Sequence, residues 1–205
     1  DKGQVLMHWA AIEALMQTEG RLPVNLKFLV EGEEEIGSPN LDAFIAAHLD
    51  LLRSDAAVIS DTAMYGRGIP SLCYGLRGLA YFQIDVTGPN SDLHSGSFGG
   101  AVANPANALA SMLAQLKGED GVIRIPHFYD DVRALSATER AELAKLPFDE
   151  AAYRAAIDVD ALTGEPGYSV LERLWARPTL DVNGLWSGFQ GEGSKTIIPA
   201  AAHAK

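Results

Sequence analysis

The chain has 205 residues, of which 47% are hydrophobic and 21% charged, a composition typical of a folded globular protein. Its formal net charge of -11 disfavours binding to a nucleic-acid backbone, because the 16 Lys and Arg residues are scattered and form no basic patch. The single cysteine, Cys73, excludes an intrachain disulfide, and no apolar run is long enough to cross a membrane. We therefore expect no nucleic-acid partner, no membrane partner and a cytoplasmic location.

The first third of the chain predicts alternating helices and strands. Apolar side chains recur at three- and four-residue steps over residues 4–18, which predicts an amphipathic helix. Residues 24–30 then predict a strand, residues 38–40 a second helix start, and residues 55–61 a short buried strand. This order is typical of a parallel β-sheet covered by helices, so the sequence predicts an α/β fold.

The pattern changes near residues 70–76, where we place a domain boundary. Beyond it we predict a strand at residues 79–86, an Ala- and Leu-rich helix at 101–116, and a helical and loop-rich stretch at 119–178. We predict a further strand at residues 179–183, and a loop that enters another strand at 194–199.

The acidic segment Glu31–Ser38, which follows the first predicted strand, carries the strongest chemical signal. Neighbouring side chains of an extended segment point in opposite directions. Glu34 and Glu35 can therefore divide two tasks, one at a metal ion and one in proton transfer. Asp61 ends the next predicted strand, and two carboxylates from adjacent strand ends suit a hard cation or zinc. The alternatives are a solvated acidic turn and, for Asp61, a helix cap or turn residue.

Two glycine-bearing loops supply the other candidates. His94, in the loop Asp92–Gly96, can donate a hydrogen bond to developing negative charge, although a surface-loop histidine is the alternative. The loop 188–196 fails the phosphate-loop template because Ser194 interrupts its Gly-Lys pair, so nucleotide binding is rejected. The backbone amides of this loop and the Thr196 hydroxyl can still hold a small carboxylate, unless the loop is only a flexible linker. Ser194 and Thr196 are therefore candidate substrate-binding residues.

Together these motifs resemble the carnosinase-like dipeptidases, which belong to the zinc metallopeptidase family that includes aminoacylase and acetylornithine deacetylase. The resemblance covers nearly all of the chain. Its motifs occur in the family's order, at Asp1–Gln4, Glu31–Ser38, Ser60–Asp61, Tyr74–Gly78, Asp92–Gly96 and Gly191–Pro199.

The resemblance implies a role for each candidate residue. Glu34 matches the general base that activates the metal-bound water. Glu35 and Asp61 match ligands to two metal ions, expected to be two Zn²⁺ or else Mn²⁺ or Co²⁺. His94 matches a histidine that reaches into the partner subunit's site and stabilises the oxyanion. Thr196 matches a residue that contacts the substrate's carboxylate.

The resemblance also implies an architecture. Residues 1–74 would belong to a parallel-sheet catalytic domain. Residues 75–205 would form an α+β, ferredoxin-like lid that carries the interface of a homodimer. The family's His-x-Asp ligand motif, its bridging Asp and its final His ligand have no match here, so we expect both domains to be incomplete. We expect an internal portion of a larger enzyme that is inactive by itself.

The expected activity of the complete protein is hydrolysis of a dipeptide or amino-acid amide bond by water that bridges two zinc ions. One alternative is a non-catalytic dimerisation or interaction module. The other is an amidohydrolase of the same family that removes an acyl group from an amino acid.

Overall fold

The structure is a computed structural model that describes residues 2–205, so Asp1, the first residue of the motif Asp1–Gln4, lies outside the described residues. The chain separates into two compact units, one that ends at Cys73 and one that spans Tyr74–Lys205. Helices occur in both units and strands in the second, which gives the mixed α/β composition that the sequence predicts. Among residues 2–205, no helix is both long enough and apolar enough to cross a bilayer.

The first unit is helical. Its elements are α1 (Lys2–Glu19), a 3₁₀ turn (Glu34–Ile36), α2 (Leu41–Ala47) and α3 (Leu49–Leu52). The first two helix predictions are confirmed to within a few residues at their starts. Helix α1 ends where Gly20 takes a φ of 65°, the left-handed conformation that favours glycine at a helix end.

The two strands predicted at residues 24–30 and 55–61 are not formed. Both segments lie outside helices and strands. A strand is stabilised by hydrogen bonds to a neighbouring strand, and no strand among residues 2–205 pairs with either segment. Their apolar side chains stay exposed, as for Val30 at 72% and Ile59 at 85%. Every strand pairing in the described part of the chain is antiparallel, so the predicted parallel sheet is not observed there.

The second unit combines two small antiparallel sheets with five helices that the structure describes. The elements are β1 (Ile84–Thr87), β2 (Leu93–His94), α4 (Ser95–Phe98), α5 (Pro105–Leu116), α6 (Ala137–Ala144), α7 (Glu150–Ala156), α8 (Val170–Trp175), β3 (Leu185–Ser187), β4 (Ile197–Ile198) and β5 (Ala201–Ala204). One sheet has the strand order β1-β5-β3, and β2 pairs with β4 in the other.

Helix α5 covers one face of the three-stranded sheet. Leu109 is fully buried against Ala202 and Ala204 of β5, and the apolar side chains of Ile84 and Val86 pack against this core. Burial of this kind is the main favourable contribution to folding. The three-stranded sheet is therefore covered by one helix that packs along its central strand, β5.

The start of α5 differs from the prediction, which placed it at residue 101. The Asn104 side chain accepts a hydrogen bond from the Ala106 backbone N–H at 2.9 Å, and Pro105 occupies the first helical position. Both features define a helix N-terminus, because the cap satisfies a free N–H and proline needs none.

Two strand predictions in the second unit are wrong in position. The strand predicted at 79–86 begins only at Ile84, and the strand predicted at 179–183 is replaced by Leu185–Ser187. The central strand β5 decides both boundaries, because it pairs Ile84 and Leu185 opposite the same residue, Ala204. The limits of both strands therefore follow from a partner strand that comes later in the chain.

A largely buried ion pair lies in the helical stretch between β2 and β3. Arg177 makes two hydrogen bonds of 2.7 Å to the Glu165 carboxylate, and only 7% of Arg177 is exposed. The Arg177 guanidinium also lies over the rings of Tyr168 and Tyr129, at 4.4 and 5.5 Å from their centroids. A bidentate pair that is stacked on aromatic rings favours arginine over lysine at this position.

Candidate functional site

The acidic turn is built around Glu33. Its carbonyl oxygen accepts hydrogen bonds from the backbone N–H groups of Ile36 and Ser38 at 3.1 and 3.0 Å. Its carboxylate accepts from the Asn40 side-chain amide at 2.9 and 3.0 Å. Gly37 closes the turn with a φ of 85°. Glu33 therefore stabilises the turn, and its carboxylate is already engaged within it.

Glu34 and Glu35 directly follow Glu33, in the 3₁₀ turn, and both are exposed. A 3₁₀ helix has three residues per turn, so adjacent side chains diverge by about 120° rather than pointing in opposite directions. The geometry assumed for an extended segment is therefore wrong, because the chain turns at the acids themselves. Two adjacent carboxylates still leave the backbone in different directions, which keeps separate tasks for them possible.

Asp61 lies in a segment without helix or strand and is exposed. The sequence places it one βα unit after the acidic turn, but the strand that would fix its position is not formed. Among residues 2–205, no group of three or more His, Cys, Asp or Glu side chains is arranged to hold a metal ion. Glu35 and Asp61 thus do not make a complete metal site with other described residues.

His94 is held by its own loop. It ends β2 and caps α4, and its Nδ1 atom accepts a hydrogen bond from the Gly96 backbone N–H at 3.0 Å. A backbone N–H can donate only to an unprotonated ring nitrogen, so the neutral ring carries its proton on Nε2. His94 is therefore set up as a hydrogen-bond donor through Nε2.

Thr196 lies beside His94 in the structure. The pairing of β2 with β4 sets His94 opposite Ile197, and the Ser95 backbone N–H donates to the Thr196 carbonyl oxygen at 3.2 Å. The structure thus brings together the backbone segments that carry two predicted site residues, which are about a hundred positions apart in the sequence. Ser194 is in the same exposed loop, just past the turn at Gly193, which has a φ of 81°.

The six predicted site residues fall into two sets, one in each unit. Glu34, Glu35 and Asp61 belong to the first, and His94, Ser194 and Thr196 to the second. Sequence reasoning missed the role of Glu33, which it did not separate from the neighbouring acids. The signal that could have found it is Asn40 at the start of a helix, seven residues further on.

Comparison with known proteins places the second unit in a family. Residues 74–205 match the family described as the peptidase dimerisation domain. This stretch is more than half of the chain.

Comparison of the whole chain finds relatives that are named as enzymes. It is 37% identical to the Cys-Gly metallodipeptidase dug1 of Schizosaccharomyces pombe and 34% identical to the human Beta-Ala-His dipeptidase, over 100% of its own length in both cases. It covers 44% and 41% of those two proteins, so the chain spans less than half the length of the curated relatives that it matches.

A solved structure with the same fold is the M20 family metallo-carboxypeptidase Sso-CP2 from Sulfolobus solfataricus. It has 35% sequence identity to the chain and a TM-score of 0.81, and the match covers 100% of this chain and 46% of that one. The family match, the whole-length similarity and the shared fold agree, and the chain belongs to the M20 family of peptidases, with its dimerisation domain at residues 74–205.

Proposed function

We propose that the complete protein containing this chain is a metal-dependent hydrolase that cleaves the amide bond of dipeptides or of related amino-acid amides. The observation that carries the proposal is that the acidic turn and the His94 loop both occur in a chain similar over its whole length to proteins named dipeptidases. The relatives are named for different dipeptides, so the side chains of the substrate are left open.

The metal is part of this proposal. Relatives of the chain carry the name metallodipeptidase, and the carboxylates of Glu35 and Asp61 are oxygen ligands of the type that divalent cations accept. We propose two Zn²⁺, or Mn²⁺ or Co²⁺, held in part by these two residues. Among residues 2–205 no complete metal site is formed, and the proposed roles of Glu34, His94 and Thr196 are those of the protein's own side chains.

Glu34 has the role of general base in this proposal. Its carboxylate accepts a proton from the attacking water and passes it to the leaving amine. A positioned carboxylate of this kind contributes about 10²–10⁴-fold to the rate. The exposed position of Glu34 in a turn fixed by Glu33 and Asn40 supports the assignment, since a base must be held in place and yet accessible.

His94 and Thr196 act on the substrate. The Nε2–H of His94 donates to the oxygen on which negative charge develops during attack on the amide carbon. The Thr196 hydroxyl, with the loop that contains Ser194, binds the free carboxylate of the substrate. The contact between the His94 and Thr196 segments supports this pairing, because the two groups would engage neighbouring parts of one small substrate.

Two domains are part of the proposal. Residues 1–74 would contribute to a catalytic domain built on a parallel sheet, and residues 75–205 would form a ferredoxin-like lid through which two copies associate. The match to a peptidase dimerisation domain supports association through the second unit. In the dimer, His94 of one subunit would serve the site of the other.

The test is a pair of substitutions in the complete protein. Glu34→Gln should lower kcat for dipeptide hydrolysis by about 10²–10⁴-fold at unchanged metal content, because the side-chain amide of glutamine cannot accept the proton of the attacking water. Glu31→Gln, a nearby exposed acid in the same segment, should keep near-normal turnover. Near-normal turnover by Glu34→Gln would remove the general-base assignment. A wild-type dimer that binds metal and hydrolyses no dipeptide would favour the interaction module.

A further inference from the structure

Two antiparallel ladders of different register join residues 84–95 to residues 196–204. In the first ladder Thr87 lies opposite Ala201, and in the second Leu93 lies opposite Ile198. Between these pairs one segment advances six residues while the other goes back three. The first segment therefore carries three additional residues, which interrupt the ladder as a large β-bulge does.

The interruption changes the hydrogen bonds of Ala200. Its carbonyl oxygen accepts from the Gly88 backbone N–H at 2.8 Å, which continues the first ladder. Its N–H has no ladder acceptor, because the opposite segment bulges away at this point. The Asp92 side chain supplies the acceptor, with its Oδ1 atom 2.9 Å from the Ala200 nitrogen. Residues 199 and 200 lie between the two ladders on the second segment, and Pro199 has no N–H, so Asp92 satisfies the one backbone donor that these two residues offer.

His94 and Thr196 lie directly beyond the joint. The second ladder contains only two residue pairs, Leu93 with Ile198 and His94 with Ile197. So short a ladder specifies its own register weakly, and a slip by one residue turns every side chain to the other face. A hydrogen bond between residues 108 positions apart, next to this ladder, is suited to fix the register.

We propose that Asp92 is a positioning residue whose carboxylate sets the register of β2 against β4 and thereby holds His94 opposite Ile197, next to the segment that contains Thr196. The hydrogen bond, rather than the negative charge, carries this role. The effect on catalysis rests on the proposed hydrolase function, whereas the effect on register does not. The two parts are therefore measured separately.

The register is tested by hydrogen–deuterium exchange of the complete protein, read by mass spectrometry. Asp92→Ala removes the acceptor, so peptides that cover residues 197–200 should exchange about tenfold faster, while peptides of α5 keep their protection. Asp92→Asn keeps a side-chain oxygen in the same place and should restore most of the protection. Ser91→Ala, an exposed neighbour that bonds only weakly to Asn90 at 3.4 Å, is the matched control and should not differ from wild type.

Catalysis is tested by dipeptide hydrolysis with the same variants. Asp92→Ala should lower kcat/KM by about tenfold or more, and Asp92→Asn should recover most of that loss. An inactive wild type would count against the proposed hydrolase function and leave the exchange result to decide the register. Unchanged exchange at 197–200 in Asp92→Ala would overturn the inference. So would an Asn variant as impaired as the Ala variant, or a loss of protection that extends to α5.

Discussion

At the scale of single residues, Gly96 shows how a missing side chain positions a functional one. The His94 ring lies over the Gly96 backbone and accepts its N–H at 3.0 Å. A Cβ atom at residue 96 would lie 2.7 Å from Cε1 and 3.0 Å from Nδ1 of His94. Carbon atoms do not approach that closely without displacement, so the ring would have to move.

We therefore predict that Gly96→Ala displaces His94 in the complete protein. Turnover should fall by about 10- to 100-fold, since a misplacement of about 1 Å costs this much in active sites. Long-range proton–nitrogen NMR of the imidazole should show the loss of a fixed Nε2–H tautomer. Gly184→Ala is the control, because its added Cβ meets Trp186 at an ordinary 3.5 Å. A Gly96→Ala protein with a wild-type tautomer and wild-type turnover would contradict the role given to this contact.

In the acidic turn, one of the adjacent glutamates is hydrogen-bonded within the turn and the next two are exposed. Sequence reasoning identified the run of acids but could not tell which of them is engaged in structure. The Asn40 amide decides this, because it binds both carboxylate oxygens of Glu33 and leaves Glu34 and Glu35 exposed. The choice depends on how the turn folds back on the start of α2, which no single-residue preference encodes.

At the scale of elements, helix α6 depends on a charge that can be titrated. Ser136 and Glu139 form a reciprocal capping box at its start, and Arg133 donates two hydrogen bonds to the Glu139 carboxylate, at 2.6 and 3.2 Å. These contacts favour the ionised carboxylate. The Arg133 hydrogen bonds, followed by that of the Ser136 backbone, lower the pKa of Glu139 from an ordinary 4.5 to about 2.

A pKa that is lower in the folded state than in the unfolded state adds stability above the unfolded value. This stability is fully present above pH 4.5 and is lost as the pH falls through about 2. We predict that the thermal midpoint of the complete protein falls less steeply between pH 5 and pH 2 in Glu139→Gln than in wild type. Glu142→Gln, in a pair with Lys145 that stays largely exposed, should follow the wild-type curve. Identical slopes for Glu139→Gln and wild type would exclude this contribution.

The elements also show which local signals are reliable. Helix α1 and the start of helix α2 were predicted within a few residues, because apolar periodicity and helix-start signals are local properties. The predictions failed for strands at 24–30, 55–61 and 179–183. A strand needs a partner, and the partner β5 that decides the limits of β1 and β3 comes at the end of the chain.

At the scale of the whole molecule, short sequence motifs identify more candidate site residues than the pattern of elements does. The acidic turn and the His94 loop could be identified from short motifs with a chemical meaning. The contact of His94 with the Thr196 segment could be expected only from the family resemblance. The hydrogen bond from Ala200 to Asp92 could not be predicted, because it arises where two ladders of different register meet.

The distribution of the predicted site over two units has a consequence for the dimer. Glu34 belongs to the first unit and His94 to the second, and the second unit matches a peptidase dimerisation domain. If His94 of one subunit serves the site of the other, a subunit that lacks Glu34 and a subunit that lacks His94 can still form one intact site together. Each variant alone has none.

The most direct measurement is therefore subunit complementation in the complete protein. Glu34→Gln and His94→Asn are purified separately, mixed, dissociated and reassociated, and assayed for dipeptide hydrolysis. The mixture should regain about a quarter of the wild-type activity, because about half of the dimers are mixed and each of these has one intact site. A mixture that contains the mixed dimer and is no more active than its two parents would contradict the shared site.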